Sequence, residues 1–364
     1  MEKTRLIAPY IKYEEVEEDL KEIFATGIFS SGTYGELFKK ELSNSLKVNY
    51  AHLTTSATTA LWISLKMFGI NNSDEVIVSD FSFPATANVV EDLGAKPVFA
   101  DVSLDTFNMN PKELERLISS KTKAVIFVNA LGNPSGIKEI FDICKSYKIP
   151  LIEDAACAIG SKIEGYNCGT FSDISCISFH PRKLICTGEG GAIITNNETW
   201  SKWLEVKLKH GASSRTDYGL IFSDFGYNFR LSEIQSLLGY VQLKKLKQII
   251  SERNKIRDTY IKYLYPLGFV PQKIEKGALF NCQSIVFKIP KGINRNKLIN
   301  FLKTQGIEST LGTYSMSSNS YFLDKYKVIC KNSNFLEKNT ITFPCFNGVN
   351  LIPIINTISD FMKK

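Results

Sequence analysis

Four short stretches carry residue types that do chemistry, and each stands at the end of an apolar run. Lys183 closes Ser178-Phe179-His180-Pro181-Arg182-Lys183 and is followed by the turn Thr187-Gly188-Glu189-Gly190-Gly191. An amine so placed could bond covalently to a carbonyl, although a single lysine is ordinarily a solvated surface charge. In Glu153-Asp154-Ala155-Ala156 a carboxylate at a strand end is poorly solvated and wants a cation, either a pyridinium nitrogen or a structural ion partner. The hydroxyl-rich Thr54-Thr55-Ser56-Ala57-Thr58-Thr59 opens a helix, where backbone N–H groups and the positive dipole end suit a phosphate; plain capping by Ser56 is the alternative. Phe81-Ser82-Phe83-Pro84 offers an aromatic that either covers a flat ring or fills the core. The glycine turn has no Walker lysine, no proper Gly-x-Gly-x-x-Gly and no helix directly after it, which excludes P-loop and Rossmann readings. Taken together, a phosphate cradle, a ring-covering aromatic, an Asp for a ring nitrogen and a Lys for a Schiff base are what pyridoxal phosphate (PLP) needs.

Elements that would place these residues can be read from the apolar pattern. Short β-branched runs at Glu75-Val78, Lys96-Phe99, Ala124-Val128, Pro150-Glu153, Ile174-Phe179 and Ala192-Thr195 alternate with helix-period segments. That alternation predicts an α/β fold, a mostly parallel central sheet flanked by helices, with ligands at the carboxyl ends of the strands. Residues 13–47 predict two helices joined by Gly27-Ile28-Phe29-Ser30-Ser31-Gly32. From Ser232, an N-cap, the spacing of Ile234, Leu237, Leu238, Val241, Leu243 and Leu246 predicts one long bridging helix over 232–263. Beyond it a strand at Ser284-Lys288, a helix at Asn294-Gln305, a loop rich in Ser and Tyr and a closing helix at Val349-Met362 predict a smaller α+β domain. The expected division is a large PLP-binding domain, 1–245, and a small C-terminal domain, 246–364.

Composition narrows the function classes. With 364 residues, 44% hydrophobic and 22% charged, the chain is neither disordered nor fibrous. A net charge of +7 is spread along the sequence, and the one dense basic run, Lys244-Lys245-Leu246-Lys247, fits the wet side of a helix, so no nucleic-acid partner is expected. No apolar stretch reaches the roughly 18–20 residues of a membrane span, and the N-terminus runs into Glu14-Glu15-Val16-Glu17-Glu18-Asp19, unlike a secretory signal. Eight cysteines lie scattered without Cys-x-x-Cys, and three histidines are far apart, so the expectation is a cytoplasmic protein with neither disulfides nor a metal.

The order of motifs resembles the DegT/DnrJ/StrS family of PLP-dependent nucleotide-sugar aminotransferases, which share the aspartate aminotransferase-like, fold type I architecture. The resemblance runs through Ser56-Ala57-Thr58-Thr59-Ala60-Leu61, Asp74-Val78, Phe83-Pro84-Ala85-Thr86-Ala87-Asn88, Gly94-Val102, Glu153-Ala156, Ser178-Lys183, Gly188-Gly191, His210-Gly211 and Gly226-Tyr227-Asn228-Phe229-Arg230. It implies that Lys183 forms the Schiff base and Asp154 pairs with the pyridine nitrogen. Phe83 would cover the ring, and Ala57, Thr58 and Ser178 would bind the phosphate. Asn228 would reach the phosphate of a neighbouring subunit, which implies a homodimer. Four departures stand out: Ala57 where the family has Gly, Cys157 where a Gln contacts the cofactor's phenolic oxygen, Asn129 where His is common, and Tyr314-Ser315-Met316-Ser317 without the histidine of Tyr-x-x-His. The last two fall near the sugar site that the resemblance implies. The implied reaction moves an amino group from an amino acid, glutamate by family analogy, through the pyridoxamine phosphate form to a nucleotide-linked keto-deoxysugar, for polysaccharide or natural-product amino sugars. Two alternatives stand beside it: a sugar deoxygenase or dehydratase of the same fold, where His typically replaces the lysine, and a catalytically silent regulatory relative.

Overall fold

The structure, a computed structural model, describes residues 3–363. Seven strands form the central sheet: β1 (Tyr50–Thr54), β2 (Glu75–Ser79), β3 (Lys96–Ala100), β4 (Thr122–Val128), β5 (Leu151–Asp154), β6 (Ile174–Ser178) and β7 (Gly191–Thr195). Their order is β1-β7-β6-β5-β4-β2-β3. Every pair is parallel except those of β7, which runs antiparallel to both β1 and β6. The fold is therefore α/β with a mostly parallel sheet, and the first residue of β7 lies at the same edge as the last residues of β1 and β6.

The strands read as unbroken apolar runs because both faces are covered. One face packs Val78, Ile126, Ile152, Ile174 and Ile193 against Leu61 and Leu65. Those leucines come from α3 (Ala57–Met67), which a reciprocal Ser56–Thr59 capping box starts. The other face packs Ile77, Val125, Phe127 and Leu151 against Ile137, Ile140 and Cys144 of the helix Ile137–Tyr147. Each such side chain, fully buried, contributes about 1.5–3 kcal/mol.

The two expected N-terminal helices form as α1 (Glu17–Thr26) and α2 (Thr33–Leu46). The second is capped by Glu233, whose carboxylate accepts from the backbone N–H of Gly32 (3.0 Å), Tyr34 (2.7 Å) and Gly35 (3.1 Å). The single long helix expected over 232–263 is instead two, Glu233–Leu243 and Leu246–Leu264. The break falls at Lys244-Lys245, whose N–H groups turn back to Tyr240 and Gln242 carbonyls in a tighter turn. Ser232 caps the first of them as expected, with its hydroxyl on the Gln235 N–H.

A second, antiparallel sheet follows in the order β8 (Val270–Pro271), β9 (Ile285–Lys288), β11 (Thr340–Phe343), β10 (Thr310–Leu311). Its apolar side, including Ile285, Phe287, Ile341 and Phe343, buries against helices Leu246–Leu264, Arg295–Thr304 and Leu351–Met362. The stretch between the last two of those helices, expected as a Ser/Tyr-rich loop, holds β10, a two-residue strand Tyr314–Ser315 paired with Phe81–Ser82, the helices Ser320–Tyr326 and Lys331–Asn339, and β11. Ala212–Thr216 and Gly219–Phe222 form an exposed hairpin that sequence patterning did not predict. Among the described residues no helix is long and apolar enough to cross a membrane.

Candidate active site

Sheet register assembles the site. Thr54 of β1 lies opposite Gly191 of β7, and Gly191 opposite Ser178 of β6. Asp154 ends β5 between Val128 of β4 and Cys176 of β6. The row therefore sets a hydroxyl, a glycine and a helix start side by side, with a carboxylate on the adjoining strand. Gly191 is required there: a Cβ on it would sit 2.5 Å from the Ser56 carbonyl carbon and 2.6 Å from the Ala57 nitrogen. Without a side chain, β7 lets the first turn of α3 close up on Ser178.

Ala57 and Thr58 are the first two residues of α3, where N–H groups lack helical acceptors. Thr58 is exposed, and Ser178 is buried with its Oγ accepting from the His180 N–H at 3.3 Å. Ala57 is not among the residues with positive φ, so the methyl that replaces the family's glycine is accommodated in ordinary helical backbone.

Asp154 is 6% exposed and accepts two hydrogen bonds, from Thr86 Oγ1 to Oδ2 at 2.9 Å and from Ala156 N–H to Oδ1 at 3.2 Å. Among the described residues no cation stands within ion-pair distance of it. Burial pushes its acid above the ordinary range, while Thr86, the Ala156 N–H and, across the site, the Lys183 ammonium pull it back. Thr86 is buried on the first turn of the helix Ala85–Asp92, and its hydroxyl also meets Ser82 Oγ at 2.8 Å. Just before the Pro84 N-cap of that helix stands Phe83, 64% exposed, its carbonyl accepting from the Thr86 N–H at 3.2 Å and its ring meeting Tyr314 edge-on at 6.3 Å.

Lys183 lies half-buried in the irregular turn after β6, its Nζ donating to Cys157 Sγ at 3.0 Å. Asp154, Cys157 and Lys183 thus share one site, with Phe83 joined to it through Thr86, and Ala57, Thr58 and Ser178 along its edge. Asn228 stands apart, exposed, its Oδ1 accepting from Arg230 Nε at 3.1 Å. Asn129, expected near a sugar, is wholly buried, and neither atom of its amide has a hydrogen-bond partner. Ser317, where the family's histidine is missing, is also buried, with its N–H on Asp80 Oδ1 at 2.6 Å. Sequence reasoning missed the roles of Thr86 and Ser82, although both lay within quoted motifs, and of Asn281 and Gln283, which no local pattern marked. Gln283 and Asn281 hold the backbone on either side of Lys183 and the backbone of Cys157, respectively.

These groups fit PLP. A buried carboxylate without a cation matches a protonated ring nitrogen, the glycine-spaced helix start beside Ser178 matches a phosphate, and Lys183 supplies the amine.

Comparisons with known proteins agree. The sequence profile of the DegT/DnrJ/EryC1/StrS aminotransferase family matches residues 10–359. GDP-perosamine synthase of Escherichia coli O157:H7 is 32% identical over 340 residues, 93% of this chain and 92% of that protein. Helicobacter pylori PseC, an aminotransferase involved in pseudoaminic acid biosynthesis, superposes with a TM-score of 0.93 at 25% identity, covering 100% of both chains. The E. coli GDP-4-keto-6-deoxy-D-mannose-3-dehydratase with bound hydrated PLP shares the fold, with a TM-score of 0.90 at 23% identity and 100% coverage of both chains. Matched along nearly its whole length, the chain belongs to the DegT/DnrJ/EryC1/StrS aminotransferase family, whose aminotransferases use PLP.

Proposed function

We propose that this protein moves an amino group from an amino acid, glutamate in the first instance, to the keto carbon of a nucleotide-linked deoxysugar. The observation that carries the proposal is the shared site of Lys183, Cys157 and Asp154, an amine and a buried carboxylate without its own cation. Relatives named as a synthase of a GDP-linked sugar and a transaminase of a UDP-linked amino sugar support the substrate class.

When bound, PLP supplies an electron sink for the carbanion formed at the amino-bearing carbon. Asp154 is the residue that keeps a proton on the ring nitrogen. Ser178, Thr58 and the free N–H groups at the start of α3 would hold the phosphate, and Phe83 would supply the aromatic side chain for the ring. Lys183 Nζ would take a proton from the donor's α-carbon and, in the reverse half, deliver one to the sugar carbon that receives nitrogen, regaining its starting protonation state within each half by exchanging the balancing proton with the bound cofactor. Lysine at 183 favours amino transfer over the dehydratase chemistry of the same fold.

A homodimer suits the exposed Asn228 and the exposed apolar side chains that precede it in the chain, Leu220, Phe222 and Phe225, which are 53%, 60% and 67% exposed. All eight cysteines are free, in keeping with a reducing cytoplasm. The test is direct. The enzyme is given glutamate and a panel of nucleotide keto-deoxysugars made in situ, and products are weighed by mass spectrometry. An amino sugar matching one panel member is expected; dehydrated sugar without nitrogen transfer would overturn the proposal.

A further inference from the structure

The turn that bears Lys183 belongs to neither a helix nor a strand, and its backbone is held from outside by side-chain amides. Gln283 straddles the lysine: its Nε2 donates to the Arg182 carbonyl at 2.5 Å, and its Oε1 accepts from the Leu184 N–H at 2.9 Å. Two residues earlier, Asn281 Nδ2 donates to the carbonyls of Cys157 (2.8 Å) and Ile159 (2.9 Å). The two amides are linked, since Asn281 Oδ1 accepts from the Gln283 N–H at 2.9 Å. Both side chains are buried, at 0% and 4% exposure. One three-residue segment therefore grips both ends of the Lys183–Cys157 contact.

That segment is itself fixed. It leads into β9 of the second sheet, and Arg253, buried on the helix Leu246–Leu264, donates to the carbonyls of Cys282 (3.4 Å) and Gln283 (3.3 Å). Cys282 adopts a left-handed φ of 52°, rare for a residue with a side chain. Such a conformation persists only where surrounding contacts over-determine it.

We propose that Gln283, supported by Asn281, is a positioning residue that sets the reactive amine of Lys183, so that the second sheet determines where that amine stands. The proposal rests on Lys183 being the amine that bonds the cofactor. Reactive groups must be held within about 0.5 Å of productive geometry, and a misplacement of about 1 Å costs on the order of 100-fold in rate.

The test compares two binding measurements on cofactor-free protein. Pyridoxal phosphate reports the rate at which Lys183 Nζ condenses with the aldehyde, releasing water and giving colour. Pyridoxine phosphate, an alcohol that cannot condense, reports affinity for phosphate and ring alone. Gln283→Met keeps the volume and removes both hydrogen bonds. Gln283→Glu keeps the acceptor for Leu184 and sets a carboxylate against the Arg182 carbonyl; it decides the matter if the methionine variant does not fold. Condensation slowed by about tenfold or more, with pyridoxine phosphate affinity within about twofold and kcat reduced at unchanged KM, is the expected result. Unchanged condensation, or equal losses in both measurements, would overturn the proposal. Lys183→Ala separates the two claims: colour forming in that variant sinks the reading of Lys183 itself.

Discussion

Thr86 gives the sharpest test of how the carboxylate at the sheet edge is prepared. Its hydroxyl, 1% exposed as a residue, donates to Asp154 Oδ2 at 2.9 Å and meets Ser82 Oγ at 2.8 Å. Thr86→Val keeps the shape and leaves Asp154 with one N–H donor, that of Ala156. A buried hydrogen bond to a charged group contributes about 1.5–3 kcal/mol. At roughly 1.4 kcal/mol per tenfold, PLP affinity should fall by about 10–100-fold. The defect should also depend on pH. Burial already pushes the Asp154 acid up and Thr86 opposes that, so the variant carboxyl takes up its proton at higher pH and loses its attraction for a ring cation. Absorbance titrations of cofactor-free protein at pH 8 and pH 6 measure this, with the gap to wild type wider at pH 6 and Thr86→Ser restoring affinity. A folded Thr86→Val protein binding PLP within about twofold of wild type at both pH values would refute the reasoning.

Glu153 lies wholly buried with Oε1 unpartnered and Oε2 3.5 Å from the Ser175 hydroxyl; burial pushes its acid up to about 7, while the Gly169 N–H, the Asn129 side chain and the Ser175 and Ser172 hydroxyls pull it back. A raised acid leaves the native state full stability below the unfolded value and loses it as pH rises through about 7. Glu153→Gln should therefore unfold at higher denaturant at pH 8, by about 2–3 kcal/mol, and gain far less at pH 5; a destabilised variant at pH 8 would mean that the charge is paired. Gly191→Ala drives a methyl into the Ser56–Ala57 peptide, so pyridoxine phosphate affinity should fall by about tenfold or more, with stability down by about 1–3 kcal/mol. Unchanged affinity by fluorescence titration would remove the glycine from the phosphate site.

The seven-stranded sheet was legible because its strands are covered on both faces, so runs such as Val125-Ile126-Phe127-Val128 carry no polar interruption. The candidate site was legible for the same reason, since its residues begin where those runs stop. The helix over 232–263 misled because Leu243 and Leu246 continue an apolar spacing through Lys244-Lys245, with no Gly or Pro to mark the break. The region 310–321 was illegible because its order comes from partners about 230 residues away: Ser315 and Ser317 hydroxyls donate to Asp80 Oδ2 at 2.8 and 3.0 Å. Gln283 and Asn281 are ordinary polar residues until the chain folds them against Lys183 and Cys157. Asn228 faces solvent in one chain, and the role implied for it needs a second.

The most direct measurement is chemical fixation. Protein loaded with PLP is reduced with borohydride, digested, and its peptides are sequenced by mass spectrometry. A single reduced pyridoxyl group on Lys183, absent from Lys183→Ala, is the predicted result. Label on another lysine, or turnover persisting in Lys183→Ala, would contradict the site.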